Sequence, residues 1–454
     1  MMSWVENEMK ASEMADKRLD KRLSLILNSF SENPEESIPS ACHGWTETQG
    51  AYRFIDNDKV GVEHILQGHK EASLERIRQQ TCVLLTQDTT FLNFAQEEDI
   101  GLGTLRHTQS EHYLLHATVA FSASRVNMGV LKAKMWQRPD EPVAHLRRKT
   151  PIEQKESIRW LESFEVACQV QRQCPDTLII SIADREGDIH EWFVDAQNRD
   201  PKERAEFIVR AKCNRRTEQN TGEYSYLWDE LSEAPIISRL RFKTPRAGNK
   251  LSRSATLEVR VKEVEFCGRR GKSTQPVWVY AVFAKEKSPP KGKTPIEWML
   301  LTSLPVEDKR SADAIIGWYR CRWEIEIYFY TLKQGCLVER LRLETDKRLF
   351  NALAIYMVVA WRIHTITMLS REQPEVSSEL LFSDKEWKII YLMQKKSKPP
   401  TKPPSLNAIT RMLAQLGGFL GRKGDGEPGV KNIWRGYRAL QNYVDALEMA
   451  KVAL

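Results

Sequence analysis

The apolar residues of this chain change period along its length, and that change sets what it can fold into. From Ala15 to Phe30 (ADKRLDKRLSLILNSF), Leu19, Leu23, Ile26, Leu27 and Phe30 recur every three to four residues with charge opposite. That is the stripe of an amphipathic helix. SENPEESIP breaks it, and further helices are expected over Thr46–Phe54 and Val62–Arg78. At Thr81 the pattern changes. CVLLTQ (82–87), HYLLHATVAFS (112–122) and MGVLKAKMW (128–136) read as strands, the last two joined by a turn near Ser124–Asn127. Pro151–Gln173 reads as a helix, LIISIA (178–183) as a fully apolar strand, and Asp188–Ala196 as a helix. Strands alternating with helices mark an α/β fold.

From about Phe207 to Pro305 the period is two. FIVRAK, RLRFKT, ATLEVRVKEVEF, VWVYAVFAKE and EWMLLTSL read as strands. Basic turns lie between them: CNRRTEQ, TPRAGNKLSRS, CGRRGKST and KEKSPPKGK. Residues 201–300 hold 21 Lys/Arg against 12 Asp/Glu, a surplus of +9 that exceeds the +7 of the whole chain. Such a β-rich segment is either a phosphate-contacting surface or a solvated subdomain whose lysines guard its edges. Helical periodicity returns over Ser311–Gln334, closed by Gly335, and over Asp346–Arg371. KKSKPPTKPP (395–404) is a proline-rich basic linker. Helices Leu406–Gln415 and Trp434–Lys451 follow, separated by GGFLGRKGDGEPG.

With 454 residues, the chain is expected to form about three domains at roughly 150 residues each. The longest apolar run, Ala352–Trp361, has ten residues between Arg348 and Arg362. A membrane span needs roughly 20, so none is expected. MMSWVENEMKASEM has no basic n-region or apolar h-region, which points to a cytoplasmic protein. The eight cysteines include no C-x-x-C and read as reduced, buried residues. The first 80 residues hold ten Lys/Arg against 14 Asp/Glu, so any DNA contact made there uses a patch, not bulk charge.

Asp88 and Asp184 each follow an apolar strand, and groups at the carboxyl ends of neighbouring strands face one crevice. Taken singly, such an Asp also reads as an N-cap or turn residue. In the helix after the β-rich segment, Tyr319, Arg322, Glu326 and Lys333 fall on one narrow stripe at about 100° per residue. A solvated, salt-bridged helix face would look the same. Together the three acids suit phosphoryl transfer on DNA. Two Mg²⁺ ions about 4 Å apart can clamp the attacking and leaving oxygens of an in-line displacement, and Mg²⁺ takes hard oxygen ligands.

DTT (88–90), DREGDI (184–189) and Y-x2-R-x3-E-x6-K (319–333) resemble the motifs of the DDE transposases of bacterial insertion sequences, family four, in the branch of the Tn-five transposase. GWTETQGAYRFIDN (44–57), FIVRAK (207–212), PPKGKTPIEWMLLT (289–302) and LGGFLGRK (416–423) are similar as well. The resemblance implies an α/β, RNase H-like catalytic core of the retroviral integrase superfamily at about 76–375, with a β-strand insertion at about 213–305. It implies a helical end-recognition domain at 1–75 and a helical dimerisation domain at 376–454. Asp88, Asp184 and Glu326 would bind two Mg²⁺, with Mn²⁺ as a substitute. Tyr319, Arg322, Lys333, Arg210 and Lys212 would contact DNA. Trp298 would stack on a flipped base, where a core position in its strand is the plain alternative, and Trp323 is a second candidate. The implied activity is cut-and-paste transposition through hairpinned ends by a homodimer on double-stranded DNA. A metal-dependent endonuclease without strand transfer, or a silent DNA-binding inhibitor, are the rivals. Gly187 stands where the family has alanine. Glu186 and Asp188 read as supports of Asp184, His190 as structural, and His112 with His116 as lacking a third metal ligand.

Overall fold

A computed structural model describes residues 4–42, 44–95, 110–138, 150–218, 224–243, 253–266 and 275–453. The basic turns TPRAGNKLSRS and CGRRGKST fall largely outside the described residues. The chain forms two compact units. One holds 80–88 and 143–323; the other holds 1–79, 89–142 and 324–454.

The first of these is built on a sheet. The opening residues of the strand Cys82–Ala95 pair in parallel with Leu178–Ala183, in register from Cys82↔Leu178 to Thr86↔Ile182. Leu178–Ala183 pairs in parallel with Glu206–Arg210. The sheet then turns antiparallel through Glu297–Thr302, Val277–Glu286 and Ser254–Phe266, with Ile236–Lys243 also on the last of these. LIISIA is buried along almost its whole length, as a central parallel strand must be. Ser254–Phe266 alternates in burial, which is what its period of two requires. Leu84, Ile180, Ile182, Ile208 and Leu300 pack against Ile315, Ile316 and Tyr319 of the helix Lys309–Arg320. A short helix, Leu227–Glu233, lies within the β-rich segment where the sequence pattern gave no sign of one.

Two expectations need correction. Asp88 does not follow a strand; it lies inside Cys82–Ala95. The strand continues because DTTFLNFA after the apolar run is still rich in threonine and phenylalanine, both good strand formers. Nor is Ser311–Gln334 one helix. Lys309–Arg320 ends in a tight turn, with the Cys321 and Arg322 amides bonded to the carbonyls of Trp318 and Tyr319. A second helix, Trp323–Tyr330, runs into a π-helical turn, Thr331–Gly335. Bonds from residue i to i−3 and then to i−5 reset the helical phase. The 100° arithmetic therefore does not hold across 319–333, and these four side chains do not share one continuous stripe.

The other unit is mostly helical. Lys17–Glu32, Trp45–Ile55 and Val62–Arg78 form near their expected positions. Asp16 caps the first by accepting from the Arg18 amide, and Leu23, Ile26, Leu27 and Phe30 are buried. The hairpin Ser110–Ser122 with Asn127–Gln137 belongs here. Asp346–Glu372 is long and apolar enough to cross a membrane by composition, yet 89% of its most apolar window is buried within the protein. Asp384–Lys395, Leu406–Leu416 and Val430–Ala453 follow.

A buried ion network ties the chain's start into this unit. Glu8 accepts from His69 Nδ1 at 2.6 Å and from both terminal nitrogens of Arg76. His69 Nε2 accepts from the Val130 amide at 3.0 Å, so the ring is neutral and its proton sits on Nδ1. Gly129 supports this arrangement. Its φ is +144°, and a Cβ there would lie 1.8 Å from Ser73 Oγ.

Candidate active site

The site is assembled from the sheet outward. The parallel pairing of these strands ends at Thr86↔Ile182, and Asp88 and Asp184 each stand two residues past that last pair. Asp184 leaves its strand in an extended conformation, and its Oδ1 accepts from the Glu186 amide at 2.8 Å. It is therefore a cap, as one reading held, and still half-exposed.

Three cationic or hydroxyl side chains converge on this pair. Arg322 Nη1 donates to Asp88 Oδ2 at 3.0 Å. Burial pushes the Tyr319 hydroxyl pKa up. The Arg322 and Arg210 guanidiniums oppose the rise, and Asp184 adds to it. Arg210 Nη2 also donates to the Glu297 carbonyl at 3.0 Å.

Asp188 holds the exit of the second acidic motif. Its carboxylate accepts from the Lys212 amide at 2.7 Å, the Cys213 amide at 2.9 Å, and the Arg215 guanidinium. Arg215 in turn lies over Phe193 and Phe266. Spacing gave no reason to single out Arg215; its place in the basic turn CNRRTEQ was the available signal. Glu186 is engaged by Arg159 at 2.6 Å, so both neighbouring acids support the loop. Gly187 has a steric reason to be glycine, since a Cβ there would come within 2.6 Å of Ala183 Cβ. Burial, with help from Arg215, draws the His190 pKa down.

Lys212 is exposed. Trp298 is half-buried between Phe242 and Tyr319, with ring centroids 5.9 Å from each. Trp323 is 48% exposed, with the Arg322 guanidinium 5.6 Å from its ring. Glu326 and Lys333 belong to the helical unit. Lys333 Nζ donates to the Phe91 carbonyl, and burial draws its pKa down. His116 pairs with Thr89 and His112 with Asn93.

Two carboxylates just past the paired ends of neighbouring strands, one of them compensated by a cation, offer the hard oxygen donors that a divalent metal takes. Among the described residues, no group of three or more His, Cys, Asp and Glu is gathered closely enough to hold a metal ion.

Residues 1–60 match the family described as Transposase DNA-binding, 165–361 match Transposase DDE domain, and 358–453 match Transposase Tn5 dimerisation domain. The DDE match takes in Asp184 and Glu326 and begins after Asp88. The chain is also similar to the piggyBac transposase of a cryo-EM synaptic complex with hairpin DNA. That likeness is 8% identical over 81% of this chain and 72% of the other, with a TM-score of 0.34, too low to bear on the fold. A DNA-binding module, a DDE module and a dimerisation module in this order define an enzyme that cleaves DNA and transfers its strands. The chain belongs to the DDE transposases of the Tn5 type and is a cut-and-paste transposase. DDE domains of this class work with divalent metal ions.

Proposed function

We propose that Asp88, Asp184 and Glu326 are the metal-binding acids of a catalytic domain with an RNase H-like core. The observation that supports this reading is the Arg322–Asp88 contact just past the end of the parallel register, with Arg322, Arg210 and Asp184 all acting on Tyr319. Divalent cations held there, two Mg²⁺ in our reading with Mn²⁺ as a substitute, supply an activated attacking oxygen and charge for the leaving oxygen.

The chain's own residues do the rest. Arg322, Arg210, Lys212, Lys333 and the Tyr319 hydroxyl hold phosphates flanking the scissile bond. Trp298 or Trp323 receives an unstacked base. Water opens one strand at the element's end. The freed 3′-hydroxyl attacks the opposite strand and closes a hairpin, water reopens it, and the 3′-hydroxyl then joins target DNA. Each water step breaks one phosphodiester to a 3′-hydroxyl and a 5′-phosphate, each 3′-hydroxyl attack forms one phosphodiester as it breaks another, and no Ser or Tyr nucleophile is needed. Residues 1–75 read the terminal inverted repeats, 76–375 carry the chemistry, and 376–454 pair two copies across two ends. The protein acts on the nucleoid in a bacterial cytoplasm.

A labelled duplex carrying the element's terminal repeat tests this on a denaturing gel. Hairpinned and joined products are expected with Mg²⁺ and none with EDTA. Nicked product that never becomes joined would favour an endonuclease, and binding without any cleavage would favour an inhibitor.

A further inference from the structure

We propose that Arg322 is an internal counter-cation on the metal-facing carboxylate of Asp88, and that it competes with a divalent ion for that oxygen until a DNA phosphate draws it off. The proposal rests on the reading of Asp88 as a metal ligand. Three observations support it.

The first is the contact itself. Arg322 Nη1 lies 3.0 Å from Asp88 Oδ2, and the two side chains are only 11% and 18% exposed. A pair so withdrawn from water is little screened by salt, so a cation competing for that oxygen must displace a well-held guanidinium.

The second is the local charge. Arg322 neutralises the Asp88 carboxylate directly, and Arg322, Arg210 and Asp184 all act on the Tyr319 hydroxyl. A divalent ion and the Arg322 guanidinium therefore compete for one oxygen, whereas a DNA phosphate and that guanidinium attract. A phosphate that draws Arg322 off strengthens metal binding, and metal binding strengthens phosphate binding by the same factor.

The third is the backbone. Arg322 stands in the tight turn between the helices Lys309–Arg320 and Trp323–Tyr330, so its side chain can turn without unwinding either one. The exposed Trp323 ring already lies 5.6 Å from the guanidinium that pairs with Asp88, so aromatic contact is at hand when the carboxylate is given up. Arg322 would thus be a positioning residue as well as a phosphate contact. It keeps the site metal-poor until DNA arrives, which protects against unprogrammed cleavage.

The test reads metal binding, not activity. The full-length protein is titrated with Mn²⁺ and the free ion is followed by electron paramagnetic resonance. Without DNA, Arg322→Gln is expected to bind Mn²⁺ about tenfold more tightly than wild type, within the usual range of coupling between sites. Arg322→Lys, which keeps the charge and guards against a misfolded variant, should fall between them. Asp88→Asn should remove the site in every background. A random-sequence duplex, corrected for its own Mn²⁺ binding, should tighten the wild-type site and leave that of Arg322→Gln nearly unchanged. Equal or weaker Mn²⁺ binding by Arg322→Gln, with Asp88→Asn still removing the site, would overturn the gate and leave the metal site standing. Mn²⁺ binding indifferent to Asp88 in every background would overturn the metal site, and the gate with it.

Discussion

Asp184→Ala is expected to lower hairpin formation and strand joining by about a thousandfold while end binding stays within about threefold. A metal-held oxygen contributes several kcal/mol of transition-state stabilisation, and each 1.36 kcal/mol is a factor of about ten in rate. Binding should survive because phosphate contacts and the DNA-binding module at residues 1–60 do not depend on this carboxylate. Asp184 also caps the turn Arg185–Gly187 through the Glu186 amide. Asp184→Asn keeps an acceptor there and so separates the two roles. If the loss is catalytic, Asn should be as inactive as Ala and melt like wild type. If Asn restores joining, the residue matters only as a cap.

Glu8→Ala is expected to destabilise the helical unit by about 3–5 kcal/mol, measured by urea unfolding. Removing one partner of a buried ion pair leaves the other uncompensated, and here both Arg76 and the buried His69 lose their acceptor. Glu8→Gln keeps an acceptor for His69 and should lose less.

The same network sets an acid limit. Burial holds the His69 pKa below its ordinary 6.5 even though Glu8 pulls it upward. Burial pushes Glu8 up from 4.5, but Arg76 and His69 outweigh this and hold it lower. Both groups therefore bind protons more readily in the unfolded chain. Stability should fall as pH drops below 6.5 and again below 4.5, by up to about 1.4 kcal/mol per pH unit for each proton. In the Glu8→Ala variant the lower step should vanish. Two unaltered steps there would mean that other groups set the acid limit.

Why some features could be read ahead of the structure follows from their range. LIISIA with Asp184 was legible because a short, wholly apolar run bounded by charge has few alternatives to a central strand. Lys17–Glu32 and Val62–Arg78 were legible from the recurrence of their apolar residues. Asp88 was set at a strand end because the apolar run stops at Gln87, although the backbone preference for extended structure does not. The break at Cys321–Arg322 carries no glycine or proline, so no local residue announced it. Arg322 and Asp88 are 234 residues apart, and periodicity cannot reveal a pairing made by the topology of the sheet. Trp298 was a candidate on resemblance alone, and the structure adds two aromatic neighbours that its spacing could not supply.

The central claim is that the Asp88 and Asp184 carboxylates touch the metal. Cysteine substitution with a change of ion tests it most directly, because a thiolate is a poor ligand for Mg²⁺ and a better one for softer ions. Asp184→Cys is expected to be inactive in joining with Mg²⁺ and to recover at least about tenfold with Mn²⁺, while Asp184→Ala recovers with neither. Full joining by Asp184→Cys with Mg²⁺, or a loss identical in the two ions, would contradict direct ligation.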